Sequence, residues 1–185
     1  MANNVRVVSW NVKGLRNPIK KQRVLTHLSR LQSKIVLLQE THLTDKDMNS
    51  LKKQWVGQVF CSPAALNKNG VVTLFHKSLS VVITKEERDE NGRWLLLHCT
   101  VNNTPISLLN IYGPTGVDVH FWEHISLILR SCPDSNLIVG GDCNQLMDPF
   151  IDRKSQVRYI PNKMQKGFKK AIDSRGLVDA WRVFN

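Results

Sequence analysis

Four polar clusters stand where apolar stretches of the chain stop: Asn11 in SWNVKGL, Glu40 in LLQETHL, Tyr112 in LNIYGP, and Asp142 with Asn144 in GGDCN. Residues at the ends of neighbouring strands can converge on one ligand although they are distant in sequence. The oxygens of Asn, Glu and Asp suit a hard cation such as Mg2+, which needs only one or two protein carboxylates when water and a substrate phosphate complete its octahedron. Each residue also has an ordinary reading. Asn11 could close a turn before Gly14, Glu40 could cap the following segment, Tyr112 could be a half-buried aromatic, and Asp142 could be a turn residue after Gly140-Gly141. Taken together, at equivalent places in the pattern, they point to a site.

The elements that must position them follow from periodicity. VRVVSWNV at 5–12 is rich in β-branched and aromatic residues and predicts a strand. Asn17 as N-cap, Pro18 at the first helical position, and Val24, Leu28 and Leu31 at helical spacing predict an amphipathic helix. IVLLQ at 35–39 is a short apolar run of the kind buried in a sheet, and Thr44 with Asp45 and Asp47 opens a second helix through Met48 and Leu51. From 56 to 112 the pattern changes to short strands, VGQVFC, VVTLF, SVVIT, RWLLLHCTV and PISLLNIY, with Glu90-Asn91-Gly92 and Asn102-Asn103 as turns. A helix over 118–131, the buried strand NLIVGG and a last helix over 162–175 complete the reading. With no repeat and no linker, one domain is expected over 1–185, its sheets packed together with helices outside rather than a parallel βαβ array.

Composition narrows the partners. In 185 residues, 26 Lys and Arg against 15 Asp and Glu leave a net charge of +11. The excess lies at the two ends: within 153–175 eight basic residues, Arg153 and Lys154 among them, face one acid, Asp173. Such a surface suits a polyanion, because each phosphate neutralised by Lys or Arg releases condensed counterions, although excess charge also serves solubility. No apolar run approaches the roughly 20 residues of a membrane helix, and Arg6 stands where a signal peptide would need its apolar region. Cys61, Cys99, Cys132 and Cys143 form no CxxC pair, consistent with thiols in a reducing compartment, nuclear or cytoplasmic.

The ordered set SWNVKGL, QETHL, NIYGP and GGDCN resembles the endonuclease/exonuclease/phosphatase superfamily, and in particular the apurinic-type endonuclease domain of LINE-like non-LTR retrotransposons. NGVVTLF, IDR at 151–153 and GLVDAWR extend the likeness over nearly the whole chain. The resemblance implies an α/β fold, a four-layer αββα sandwich with two packed mixed β-sheets, and a monomer that hydrolyses DNA phosphodiesters with Mg2+ or Mn2+. In those roles Glu40 ligates the metal, Asn11 helps position it, Asp142 orients or deprotonates the attacking water, Asn144 hydrogen-bonds the phosphoryl oxygens, and Tyr112 contacts the scissile phosphate. Asp142 and Asn144 are also candidates for the metal's ligand set. The basic residues beside the motifs, Lys13, Arg16, Arg153 and Lys154, are candidates for contacting DNA.

The family pattern continues past position 185 with a Tyr-Thr strand, a DNA-probing hairpin, an Asp in an SRID-like segment and a closing Ser-Asp-His. On that reading the fold is incomplete at its C-terminus, sheet edges are exposed, and hydrolysis is expected to be much weakened or absent. None of the histidines, His42 included, matches the terminal position. Cys143 stands where the family usually has Phe.

Other patterns lead elsewhere. HFWEH at 120–124 fits the inverted zinc-protease motif, but Phe121 and Ile125 already define a buried helix face. Trp10, Trp94 and Trp122 are expected in the core, and the run Glu86-Glu87-Arg88-Asp89-Glu90 at a solvated hairpin tip. Two alternatives to the nuclease stay open: a non-catalytic DNA-binding remnant using the same basic surface, and a hydrolase of inositol phosphates or phospholipid head groups, which the net charge disfavours.

Overall fold

A computed structural model describes residues 4–64, 68–133, 136–148, 151–152 and 161–184. Two compact units divide the chain: residues 1–112 with 134–142, and residues 113–133 with 143–185.

In the first unit lie β1 (Val7–Asn11), α1 (Pro18–Arg30), β2 (Ile35–Gln39), α2 (Asp45–Gln54), β3 (Gly57–Ser62), β4 (Val71–His76), β5 (Val81–Arg88), β6 (Trp94–Val101), β7 (Thr104–Tyr112) and β8 (Asn136–Asp142). They form two four-stranded sheets, β1-β2-β4-β3 and β5-β6-β7-β8. Both are mixed: β1 runs parallel to β2 and β7 to β8, and the remaining pairs are antiparallel. Expected α/β architecture and packed mixed sheets are therefore present.

β2 explains how the layers are held. Its residues are all buried: Val36 and Leu38 join a core with Val24, Leu28, Met48 and Leu51 of the two helices, whereas Ile35 and Leu37 join a core with Leu95, Leu97 and Leu108 of the other sheet. A strand covered on both faces has no polar side to show, hence the unbroken apolar run. α1 begins where the sequence places it, with the Asn17 side chain accepting from Lys20 N at 3.0 Å. At α2 both the amide and the hydroxyl of Thr44 donate to Asp47 Oδ2, at 2.9 and 2.8 Å.

Two expectations are corrected. β5 extends to Arg88, so Glu86, Glu87 and Arg88 are strand residues, paired in register with Leu97, Leu96 and Leu95, and the turn begins at Asp89. β5 is an edge strand, and an outward face in water accepts charge without losing the ladder. Trp94 and Trp122 are buried, but Trp10 is only half-buried, its ring edge-on to His27 at 5.4 Å.

α3 (Val119–Ser131), α4 (Lys163–Asp173) and α5 (Ala180–Phe184) belong to the second unit. α3 and α4 pack through Trp122 and Phe168, ring centroids 4.8 Å apart. IDR and DAWR meet here, because Arg182 pairs with Asp152, which also accepts from the amides of Met147 and Asp148 at 2.9 and 3.0 Å. No described helix is long and apolar enough to cross a membrane.

Candidate active site

The parallel pairing of β1 and β2 continues beyond their last rung, Asn11 opposite Gln39. Val12 N donates to Gln39 O (3.0 Å), Gly14 N to Glu40 O (2.6 Å) and Leu15 N to Thr41 O (2.8 Å). Segment 41–42 is fastened on its other side as well, by Thr41 N to Gly70 O and His42 N to Asn69 O, both 2.9 Å. Within these zipped loops Lys13, Glu40 and His42 adopt left-handed backbone, with φ of 47°, 50° and 56°. Such a conformation costs an L residue about 1–2 kcal/mol, so the surrounding hydrogen bonds must impose it.

Asp142 arrives from the other sheet, at the end of β8 opposite Tyr112 of β7. Two glycines make the approach. A Cβ at Gly140 would lie 2.4 Å from Leu37 Cδ1, so any larger residue would force the buried Leu37 side chain to shift where β8 comes close to β2. Gly141, at φ 149°, has its α-carbon against the neighbouring strand, where a Cβ would fall 1.9 Å from Ile111 O.

Asn11 joins the two sheets. Its Nδ2 donates to Glu40 Oε1 and to Asp142 Oδ2, each at 2.8 Å. The amide orientation is determined, because Asn11 Oδ1 accepts from Lys13 N at 3.1 Å. Tyr112 adds a side-chain hydrogen bond to Glu40. Burial raises the Glu40 pKa, but the hydrogen bonds from Asn11 and Tyr112 and the nearby charges of His42 and Lys13 outweigh it, so the carboxyl titrates below the ordinary glutamate range. At neutral pH the cluster thus presents ionised oxygen and a fixed amide donor.

Asn11, Glu40, Tyr112 and Asp142 are therefore brought together from four strand ends. Asn144 belongs to the second unit, where its Nδ2 donates to Gly113 O at 2.9 Å. Lys13 is exposed beside Glu40, with Lys20 Nζ donating to its carbonyl at 2.7 Å. Arg16 Nε lies 3.4 Å from Asp47 Oδ2. Arg153 and Lys154 lie outside the described residues. In the second unit, His120 of HFWEH pairs with Glu123 at 3.1 Å on a well exposed surface.

Sequence reasoning missed two features. His42 stands close enough to act on Glu40 electrostatically. A buried polar bridge lies behind the site: Gln39 Nε2 donates to Asn110 Oδ1 at 2.8 Å, while Asn110 Nδ2 donates to Leu38 O (3.3 Å) and Val72 O (3.0 Å). The only sequence signal for the bridge is a polar residue inside each of two apolar strands.

Residues 8–158 match the model of the endonuclease/exonuclease/phosphatase family. The chain belongs to that family. The chain is 32% identical over 185 residues to the transposon TX1 uncharacterized 149 kDa protein of Xenopus laevis, across 97% of this chain and 14% of that relative. It is 25% identical over 197 residues to the exodeoxyribonuclease of Bacillus subtilis (strain 168), across 96% of this chain and 75% of the relative. Solved structures of the same fold include the AP endonuclease LMAP from Leishmania major, with TM-score 0.73 and 18% identity over 97% of this chain and 69% of that one. Another is the endonuclease domain of TRAS1, a telomere-specific non-LTR retrotransposon, with TM-score 0.67 and 16% identity over 94% and 71%. The retrotransposon-type resemblance of the motifs is thereby borne out. This member of the endonuclease/exonuclease/phosphatase family spans only 14% of the TX1 relative's length.

Proposed function

We propose that the chain is a divalent-metal-dependent phosphodiesterase that acts on DNA as an endonuclease. The observation that carries this reading is the Asn11 amide held between the carboxylates of Glu40 and Asp142. Among the described residues no three His, Cys, Asp or Glu side chains gather as a self-sufficient metal site. Two hard carboxylates beside an amide fit Mg2+ or Mn2+, which leave room in their shell for water and substrate phosphate, better than a cation that demands an all-protein cage. Glu40 and Asp142 would hold the ion, with Asn144 completing the set that the family resemblance implies and Asn11, whose Nδ2 donates to both carboxylates, positioning them. When bound, the ion supplies positive charge against a phosphoryl group that gathers negative charge as it becomes five-coordinate.

The protein's own groups do the rest. Asp142 takes the proton of the attacking water as its oxygen bonds to phosphorus and the bond from phosphorus to the leaving sugar oxygen breaks. Asn144 donates to the non-bridging oxygens and Tyr112 contacts the scissile phosphate, each favouring the transition state over the ground state. Lys13, Arg16, Arg153 and Lys154 neutralise backbone phosphates. DNA as substrate is supported by the net charge of +11 and by the exodeoxyribonuclease relative.

The test is nicking of supercoiled plasmid by the purified protein with Mg2+ or Mn2+. The expected result is weak nicking that stops with EDTA and with Glu40→Ala. Salt-sensitive DNA binding without divalent-dependent nicking would overturn the catalytic reading in favour of a DNA-binding domain.

A further inference from the structure

The strands that carry the candidate active site at one end carry a different arrangement at the other. Arg6 precedes β1, Lys34 precedes β2 and His76 ends β4, and backbone hydrogen bonds hold the three side by side. Lys34 N and Ile35 N donate to Arg6 O at 3.0 and 3.2 Å, and His76 N donates to Lys34 O at 2.8 Å. Arg30, in the last turn of α1, completes the group. These residues line a cleft of about 920 Å3, none of whose described lining residues is acidic. Five to six residues of strand separate it from Asn11 and Glu40, which at about 3.3 Å per residue is some 17–20 Å.

Arg6 and Lys34 have only neutral partners among the described residues. Arg6 donates to Leu31 O, and Lys34 Nζ to Ser78 Oγ at 2.8 Å. The His76 pKa is lowered by burial and then by Lys34 and Lys77, the mark of a locally positive potential. Ser33, at the cleft wall, is 3% exposed, and its hydroxyl has no hydrogen-bond partner among the described residues. Three like charges around one concavity repel each other, and an anion seated among them would turn that repulsion into attraction. The cleft volume lies at the upper end of the roughly 300–1,000 Å3 of small-molecule sites, too large for a bare oxyanion and sufficient for a nucleotide. Gln22, Gln32 and Gln54 on its walls offer amide donors and acceptors for sugar and base.

We propose that this cleft is a second phosphate-binding site, seating a single nucleic-acid strand through its backbone and remote from the candidate active site. Binding needs no hydrolysis, so the proposal stands whether or not the nuclease reading holds.

The experiment is fluorescence anisotropy of a labelled single-stranded oligodeoxynucleotide in EDTA, across a series of salt concentrations. Wild-type protein is compared with the triple variant Arg6→Gln/Arg30→Gln/Lys34→Gln and with the charge-matched control Lys46→Gln/Lys52→Gln/Lys68→Gln, all confirmed folded by circular dichroism. The cleft variant is expected to bind at least about tenfold more weakly, and its slope of log K against log salt to be shallower by about 2, since each phosphate contact on a single strand contributes about 0.7. The control should stay near wild type. Inorganic phosphate and a nucleoside monophosphate, titrated separately, should each move the His76 ring signals in NMR spectra, the nucleotide at lower concentration. Equal loss in the two triple variants, unchanged affinity in the cleft variant, or His76 signals that neither ligand moves would overturn the proposal. Phosphate acting as well as the nucleotide would overturn its nucleic-acid half.

Discussion

Asn11 and Asp142 stand 131 residues apart in the chain and are joined by a 2.8 Å hydrogen bond that crosses from one sheet to the other. Because Lys13 N occupies the amide oxygen, the NH2 group has no orientation available except toward the two carboxylates. Removing it leaves like charges facing each other without a donor between them. Asn11→Ala is expected to weaken Mn2+ binding by 10–100-fold, in line with the loss of groups that orient metal ligands. Isothermal titration calorimetry checks this. The residue is half-buried at a strand end, so the thermal transition should move little.

Gly140 tests whether the approach of the sheets is needed. Alanine there meets Leu37 Cδ1, and overpacking of a core typically costs about 1–3 kcal/mol. Gly140→Ala should lower the urea midpoint accordingly. The double variant Gly140→Ala/Leu37→Ala should lose less than the sum of the two single variants, because residues in contact are not additive. An additive double variant would mean that the glycine serves something other than closeness to Leu37.

How much of this was legible in the sequence depended on where each signal resides. IVLLQ matches β2 residue for residue because burial on both faces leaves a local, contiguous mark. The start of α1 was readable from Asn17 and Pro18 because caps act within one turn. Asn11, Glu40, Tyr112 and Asp142 could be singled out because each follows an apolar run. Gln39 and Asn110 could not be paired, since their 71-residue separation has no periodicity. His42 matches no motif role, and the fastening of its loop to Asn69 is what keeps it beside Glu40. α5 is five residues long, too short for a 3.6-residue period to register.

Asp47 gives a pH dependence of definite sign. Its carboxyl is held below the ordinary aspartate range, mainly by the Thr44 amide, against a burial effect that raises it, with the Thr44 hydroxyl and Arg16 adding to the lowering. A depressed carboxyl contributes stability that is present above its unfolded pKa, about 3.9, and is lost as pH falls through the lower folded value. Asp47→Asn should therefore melt earlier than wild type at pH 7. The two melting temperatures should converge as the pH drops below about 3.9. A gap that persists at pH 2 would mean that the carboxylate's charge is not what stabilises the helix start.

The Gln39–Asn110 bridge joins the sheets just beneath the site, since Glu40 follows Gln39 and Tyr112 lies two residues beyond Asn110 on the same face of β7. Both amides are buried, at 1% and 0% exposure, and every donor that Asn110 has is used on a backbone carbonyl. Asn110→Ala removes the side-chain donor to the buried carbonyls of Leu38 and Val72 and one acceptor of the Gln39 amide, which keeps Leu37 O at 2.9 Å and Ser9 Oγ at 3.2 Å. A buried polar group left without a partner costs about 1–3 kcal/mol, so urea unfolding should show a loss of that order or more. Replacing both partners, Gln39→Leu/Asn110→Leu, counts the mutual hydrogen bond only once and puts apolar groups of similar size in place of both amides, while Leu38 O and Val72 O still lose their side-chain donor. It should therefore cost less than the sum of the single substitutions, with a coupling of about 0.5–3 kcal/mol. Mn2+ affinity separates scaffold from site. If the bridge sets the distance between Glu40 and Tyr112, the double variant binds the ion more weakly even where its stability recovers. Full recovery of both would reduce the bridge to ordinary core packing.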